Sequence, residues 1–354
     1  MDINKKTCYR LSECNHVKKV TLFIFFVLSS FFCVTYAKKR PSAVTYEFEE
    51  GSRLGDHLML YGKTKWMAYT YKMRLLYKPF KFSQQLAMHT KEKLYTPALE
   101  KKFARTIHLC KFATEPIRPN DNTLYVIHRK FIDAGAWTYS FGDMADTFKK
   151  NPAFLGELKA MLSPISIIQT ITIPPNMLSI AVHIRRGGGF DRPLYQSTPQ
   201  PGLPAEQFAD KVWPAKFPPH NFYIEQINRI AQVYNGVPLY IHIFTDDPNP
   251  ENIVNMYKKD LAGLPITFGY RRTGNMHTRN VLEDLFSMSN FDFLIRPASG
   301  LSLFSQILGN HQLVIYPLHT TWQNDTTLVV DKVGFSGPLA SGQQKEPFLI
   351  PKGK

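Results

Sequence analysis

The stretch Ser179–Pro193, SIAVHIRRGGGFDRP, carries a histidine and two adjacent arginines out of an apolar run and into three consecutive glycines. In a strand, alternate side chains share a face, so His183 and Arg185 point the same way. A guanidinium at a strand end is a permanently charged fork of donors that matches phosphate oxygens. Gly187, Gly188 and Gly189 let a backbone approach a ligand closely and accept positive φ. They do not form a P-loop, because no Gly-Lys-Ser/Thr follows, nor a dinucleotide fingerprint, because Arg192 stands where the third glycine would be. Solvated arginines beside a flexible turn fit the same residues.

Two further stretches stop in the same manner. Ile241–Pro248 ends in Asp246 and Asp247. Adjacent carboxylates there can bind a metal, accept hydrogen bonds from sugar hydroxyls, or cap the helix that Pro248 introduces. A metal would need more oxygen ligands, and the sequence identifies none. In the third stretch Asp284 opens a helix, a strand runs to Ile295, and Arg296-Pro297-Ala298-Ser299-Gly300 follows. A small polar loop before a helix offers N–H groups and a hydroxyl to an anion. A plain helix–strand–helix unit with an acidic first turn reads equally well.

The elements that must position these residues alternate regularly. Strands are expected over 177–185, 237–245, 264–268, 291–295 and 313–316, with helices over 221–234, 249–259, 280–289 and 302–308. Alternation of this kind predicts β-α-β units and a parallel sheet, whose ligands bind beyond the carboxyl ends of the strands. Upstream, a strand over 45–49 leads through Gly51–Asp56 to a helix over 57–76, with Asp56 as its N-cap. A strand over 124–127 and helices over 143–148 and 153–162 precede a proline-containing linker at 171–176.

Composition bounds the rest. The 354 residues favour two domains, 44% hydrophobic content suffices for packed cores, and the net charge is +15. Residues 1–40 hold eight Lys/Arg against Asp2 and Glu13, and no long basic run lies beyond them. Anionic small molecules therefore suit the charge better than nucleic acid does. Residues 20–37 are uncharged and basic-flanked, the pattern of a signal peptide or a membrane anchor, which places the protein in the secretory pathway or at a membrane. Only Cys110 of the four cysteines lies beyond that segment, which excludes a disulfide within the globular part, and the chain has no CxxC pair to make a thiolate zinc site. The expected domains are a tail at 1–40, an N-terminal domain at 41–175 and a C-terminal domain at 176–354.

His183-Ile184-Arg185-Arg186-Gly187, Phe244–Pro248, and Asp284–Phe293 with Ser299 together resemble three successive motifs of the α1,2-, α1,6- and protein O-fucosyltransferase superfamily. Gly51–His57 is similar to its N-terminal glycine loop, with Asp56 where asparagine is usual. The resemblance spans residues 45 to 316. It implies an α/β, GT-B-like fold: two Rossmann-like domains facing across a cleft, with the C-terminal one binding GDP-fucose. It implies metal-independent transfer with inversion to a glycan or glycoprotein hydroxyl, no separate cofactor, and Arg185 on the leaving diphosphate. It further implies His183 and Asp284 around the guanine, Asp247 and Ser299 around the sugar and phosphates, and Asp246 among the substrate-binding residues. Arg186 would anchor the loop, and Gly55 and Asp56 would belong to the N-terminal loop's share of the site. The chain departs from the family after the arginines, where Gly-Asp or Thr-Asp-Lys is usual. Here the acid is displaced to Asp191, the candidate base, and the lysine is missing. The departure keeps two alternatives open: a GT-B enzyme with another nucleotide sugar, and an inactive exported relative that binds glycan or nucleotide.

Overall fold

The computed structural model describes residues 40–109, 117–128, 142–187, 213–276, 278–324 and 327–340. All four cysteines, residues 20–37 and Asp191 lie outside the described residues. The first half supplies strands β1 (Ala43–Glu47), β2 (Arg74–Tyr77), β3 (Lys93–Leu94), β4 (Arg105–Leu109) and β5 (Thr123–His128). They form a parallel sheet in the order β3-β2-β1-β5-β4. Its longer helices are α1 (Leu54–Thr70), α2 (Gly142–Lys149) and α3 (Pro152–Leu162).

The second half supplies β6 (Leu178–Ile184), α4 (His220–Val233), β7 (Leu239–Thr245), α5 (Pro250–Asp260), β8 (Ile266–Tyr270), α6 (Val281–Met288), β9 (Phe293–Ile295), α7 (Gly300–Leu308), β10 (Leu313–Trp322) and β11 (Leu328–Ser336). The sheet order is β11-β10-β9-β6-β7-β8, parallel except for the β10–β11 hairpin. Counted within this half, that is the doubly wound order of dinucleotide-binding folds. The central strands β6 and β7 are buried on both faces, as covered parallel sheets require, so they read as predominantly apolar runs.

Helix α1 joins the halves. It is buried on nearly every face, because the first sheet lies on one side of it and α7 on another. One apolar core therefore takes in Leu58 and Tyr61 of α1, Phe148 of α2, Leu282 and Leu285 of α6, and Phe304 and Ile307 of α7. Lys65 of α1 is also buried, and its Nζ reaches Glu92 and Glu157 at 2.7 Å each.

The structure corrects three expectations here. Asp56 is not the N-cap of α1. Arg53 caps the helix, and Asp56 sits at the third helical position, where it accepts the Arg53 backbone N–H at 3.2 Å. The helix stops at Thr70 rather than at residue 76, because Lys72 adopts φ 52° and Met73 N–H turns back to Ala68 O at 2.9 Å. This left-handed C-terminal turn usually recruits glycine, so a lysine there gives no warning. Beyond it Arg74–Tyr77 pairs with β1 instead of extending the helix. Finally, β10 runs on past Tyr316 through Pro317 and folds back as β11.

Candidate active site

The chain reverses direction across the second sheet between β6 and β9, and a pocket opens beyond their carboxyl ends. It encloses about 760 Å³ of atom-free space, part of it open solvent. Its walls include His183 and Arg185 from the end of β6, Thr245 and Asp246 from the end of β7, Asp284 from α6, and Ser299 and Gly300 at the start of α7. Arg53, Gly55 and Asp56 close it from the first half. The join is tight: a Cβ on Gly55 would stand 2.6 Å from Leu301 N, and one on Gly300 would stand 2.8 Å from Gly55 O. Only glycine at both positions lets α1 and α7 start side by side at the rim.

The two arginines have different surroundings. Arg185 lines the pocket beside His183. Arg186 is drawn to the acids: its backbone N–H donates to Asp246 Oδ1 at 2.6 Å, and its Nε donates to Asp247 Oδ2 at 3.0 Å. Its Nη1 lies 3.1 Å from His220 Nε2, whose Nδ1 lies 3.1 Å from Tyr257 Oη. An arginine only donates, so His220 Nε2 accepts and Nδ1 carries the proton. Burial, reinforced by Arg186, holds the His220 pKa down to about 4, so the ring stays neutral. Asp247 is consequently not a pocket residue. Arg186 holds one of its oxygens, and the other accepts the Asn249 N–H at 2.7 Å in the turn before α5.

The remaining groups are poised by burial. His183 is 7% exposed, and its pKa falls to about 3 through burial first and then the positive charges of Arg185 and Arg296. Its Nδ1 has no hydrogen-bond partner among the described residues, and neither has Asp246 Oδ2. Asp284 is pushed up to about 7 by burial, which outweighs the opposing pull of Arg271. Arg271 Nη2 lies 2.6 Å from Asp284 Oδ1 and 3.3 Å from Glu283 Oε2. Ser299 is 4% exposed and caps α7 through its backbone position.

Sequence reasoning missed three contributors. Arg271 follows β8 and reaches Asp284 only through the fold. Lys216 lines the pocket from a one-turn helix at Pro214–Lys216. Arg296 follows the strand of the third stretch, where its residue type alone gives it no role. It is fully buried, donates from Nε to Gln306 Oε1 at 2.8 Å and from Nη1 to Pro297 O at 3.1 Å, and lies 4.7 Å from the Tyr316 ring. A charged residue between an apolar strand and a proline was the available signal. In contrast, Asp292 of the same motif is structural: it accepts from Ser179 N at 3.0 Å and Ser179 Oγ at 2.7 Å, tying β6 to β9.

Chemically, the pocket is lined by the guanidiniums of Arg53 and Arg185, the ammonium of Lys216, the acids Asp56, Asp246 and Asp284, and the start of α7. That arrangement suits a ligand with an anionic centre and hydrogen-bonding ends. No protein-family model matches the sequence, and no curated protein matches it. Among solved structures it is similar to a mutant of Arabidopsis thaliana FUT1 in complex with GDP, at 12% identity over 88% of this chain and 80% of that one, TM-score 0.46. It is also similar to POFUT1 in complex with GDP-fucose, at 10% identity over 78% and 96%, TM-score 0.41. A third is NodZ alpha-1,6-fucosyltransferase soaked with GDP-fucose, at 10% identity over 84% and 99%, TM-score 0.36.

Proposed function

We propose that the chain is a glycosyltransferase that moves fucose from GDP-fucose to a glycan or glycoprotein hydroxyl with inversion and without a metal. The observation that carries this reading is convergence: His183, Arg185, Asp246, Asp284, Ser299, Gly55 and Asp56, read from separate stretches of sequence, line one pocket at the switch point of a doubly wound sheet.

In this reading the diphosphate lies against Arg185 and the N-terminus of α7. Breaking the glycosidic bond builds charge on the β-phosphate, and Arg185 stabilises it. Losing such a contact costs on the order of 3 kcal/mol of barrier, about a hundredfold in rate. His183 stays neutral, so one nitrogen accepts and the other donates, which suits a base edge and not a phosphate. Arg186 acts as a positioning residue, fixing Asp246 and the loop. Asp191 remains the candidate base. The apolar segment at residues 20–37 would bring the enzyme into the secretory pathway or to a membrane; among the described residues no helix is long and apolar enough to cross one.

A panel of nucleotide sugars tests the reading. GDP-fucose should be hydrolysed slowly without acceptor and faster with one, while GDP-mannose and uridine-linked sugars should stay intact. Turnover of another donor alone would reassign the substrate. The triple glycine, standing where the family carries an acid, favours one second reading, a relative that binds without turnover. Saturable GDP binding with no hydrolysis of any donor would establish it.

A further inference from the structure

Away from the pocket, three side chains converge at the carboxyl end of the first sheet. Glu47 ends β1, and His128 ends β5 directly opposite it in the parallel register. His108 comes from β4, the next strand over, one residue before that strand's end. His108 Nδ1 and His128 Nε2 are 2.9 Å apart. Glu47 Oε2 stands 3.5 Å from the His128 nitrogen and 3.9 Å from the His108 nitrogen.

These distances have a specific meaning. A tetrahedral ion with bonds of about 2.0–2.1 Å holds its ligand atoms about 3.3–3.4 Å apart. The observed triangle brackets that spacing, with one side shorter and two longer. Two imidazole nitrogens facing each other this closely share either a proton or an ion. The ligand set decides which ion. Imidazole and carboxylate suit zinc and its first-row neighbours, whereas calcium and magnesium take oxygen ligands. The backbone also favours the arrangement. Strand-end side chains on one sheet face, from adjacent strands, need no loop to bring them together.

We propose that Glu47, His108 and His128 form a binding site for a divalent first-row transition ion of the Zn²⁺ type. The side chains are 51%, 54% and 28% exposed, so an ion held by them keeps a coordination position open to water or an oxygen ligand. Such an ion would clamp the ends of β1, β5 and β4, from the same end of the sheet at which the chain leaves for α1 and the pocket.

The test uses the full chain, stripped with a chelator and titrated with Zn²⁺ alone by calorimetry. Wild type should bind Zn²⁺ saturably and melt at a higher temperature with it. His108→Ala and His128→Ala should each lose one equivalent, and Glu47→Gln should bind at least tenfold more weakly. A titration with Co²⁺ guards against variants that fail to fold. One equivalent in wild type should give the intense visible bands of a four-coordinate nitrogen and oxygen site, without a thiolate charge-transfer band. Unchanged stoichiometry and affinity in both histidine variants would overturn the proposal. So would a thiolate band from the cysteines, or the absence of saturable binding.

Discussion

The two sheets both carry ionisable residues at their carboxyl ends, and they treat them in opposite ways. At the second sheet the groups are buried. His183 is pushed down to about 3 and Asp284 up to about 7, and buried polar atoms of two pocket-lining residues, His183 and Asp246, have no hydrogen-bond partner among the described residues. At the first sheet Glu47 and His108 stand half in solvent, and His108 Nδ1 meets His128 Nε2 across the strand ends at 2.9 Å. Burial at one end stores unspent hydrogen-bonding capacity that a ligand can use, and exposure at the other leaves a cluster whose only demand is for a shared proton or ion. The same contrast holds at the scale of neighbours. Arg185 lines the pocket, whereas Arg186, one residue on, is held by Asp246, Asp247 and His220.

The largest way to break this contrast is through Arg296, the buried cation beneath the pocket. Arg296→Ala should lower unfolding free energy by roughly 3–5 kcal/mol in denaturant titrations, since it opens a cavity and strands Gln306. A loss below about 1 kcal/mol would show that the burial matters little. Next comes the glycine contact between the halves. Gly300→Ala must separate α7 from α1, at a cost of about 1–3 kcal/mol in stability, and should weaken GDP binding with it. Retained affinity would show that the rim contributes nothing to the pocket.

Arg186→Ala should cost about 1–2 kcal/mol of stability through the freed Asp247 and His220, with a GDP contact intact at Arg185. The finest test is of pH. Asp284 holds its proton to about 7 when folded, while the unfolded carboxyl releases it near 3.8. Asp284 therefore contributes a loss of stability as pH rises between these values, against the gain from His183 and His220, whose rings stay neutral when folded. Asp284→Asn should make the melting-temperature profile rise more steeply with pH over that range, and an unchanged slope would show that Asp284 contributes nothing to it.

Much of this was legible in the chain because buried parallel strands are plain apolar runs that end in charge, as β6 and β7 do. Where the reading failed, the cause was local or long-range physics that residue types conceal. Lys72 takes a glycine's conformation and ends α1 unannounced. Pro317 reads as a strand end, yet β10 continues through it with shifts in register on either side of His319. Asp246 and Asp247 are indistinguishable by type, yet Asp246 lines the pocket while Asp247 is held by Arg186 and the Asn249 N–H. Arg271 finds Asp284 across a loop, a pairing that no spacing rule contains. The strands before and after residue 175 fall into two sheets, but α6 and α7 pack into the core of the first half, so the two halves do not have separate interiors.

The central claim is that Arg185 faces a nucleotide diphosphate. Calorimetric titration of the full chain with GDP measures this most directly, with wild type, Arg185→Ala and Arg186→Ala compared at one salt concentration. Saturable binding in wild type, weakened about a hundredfold in Arg185→Ala and less than tenfold in Arg186→Ala, is the predicted result. GDP binding that is absent in wild type, or equal in wild type and Arg185→Ala, would contradict it.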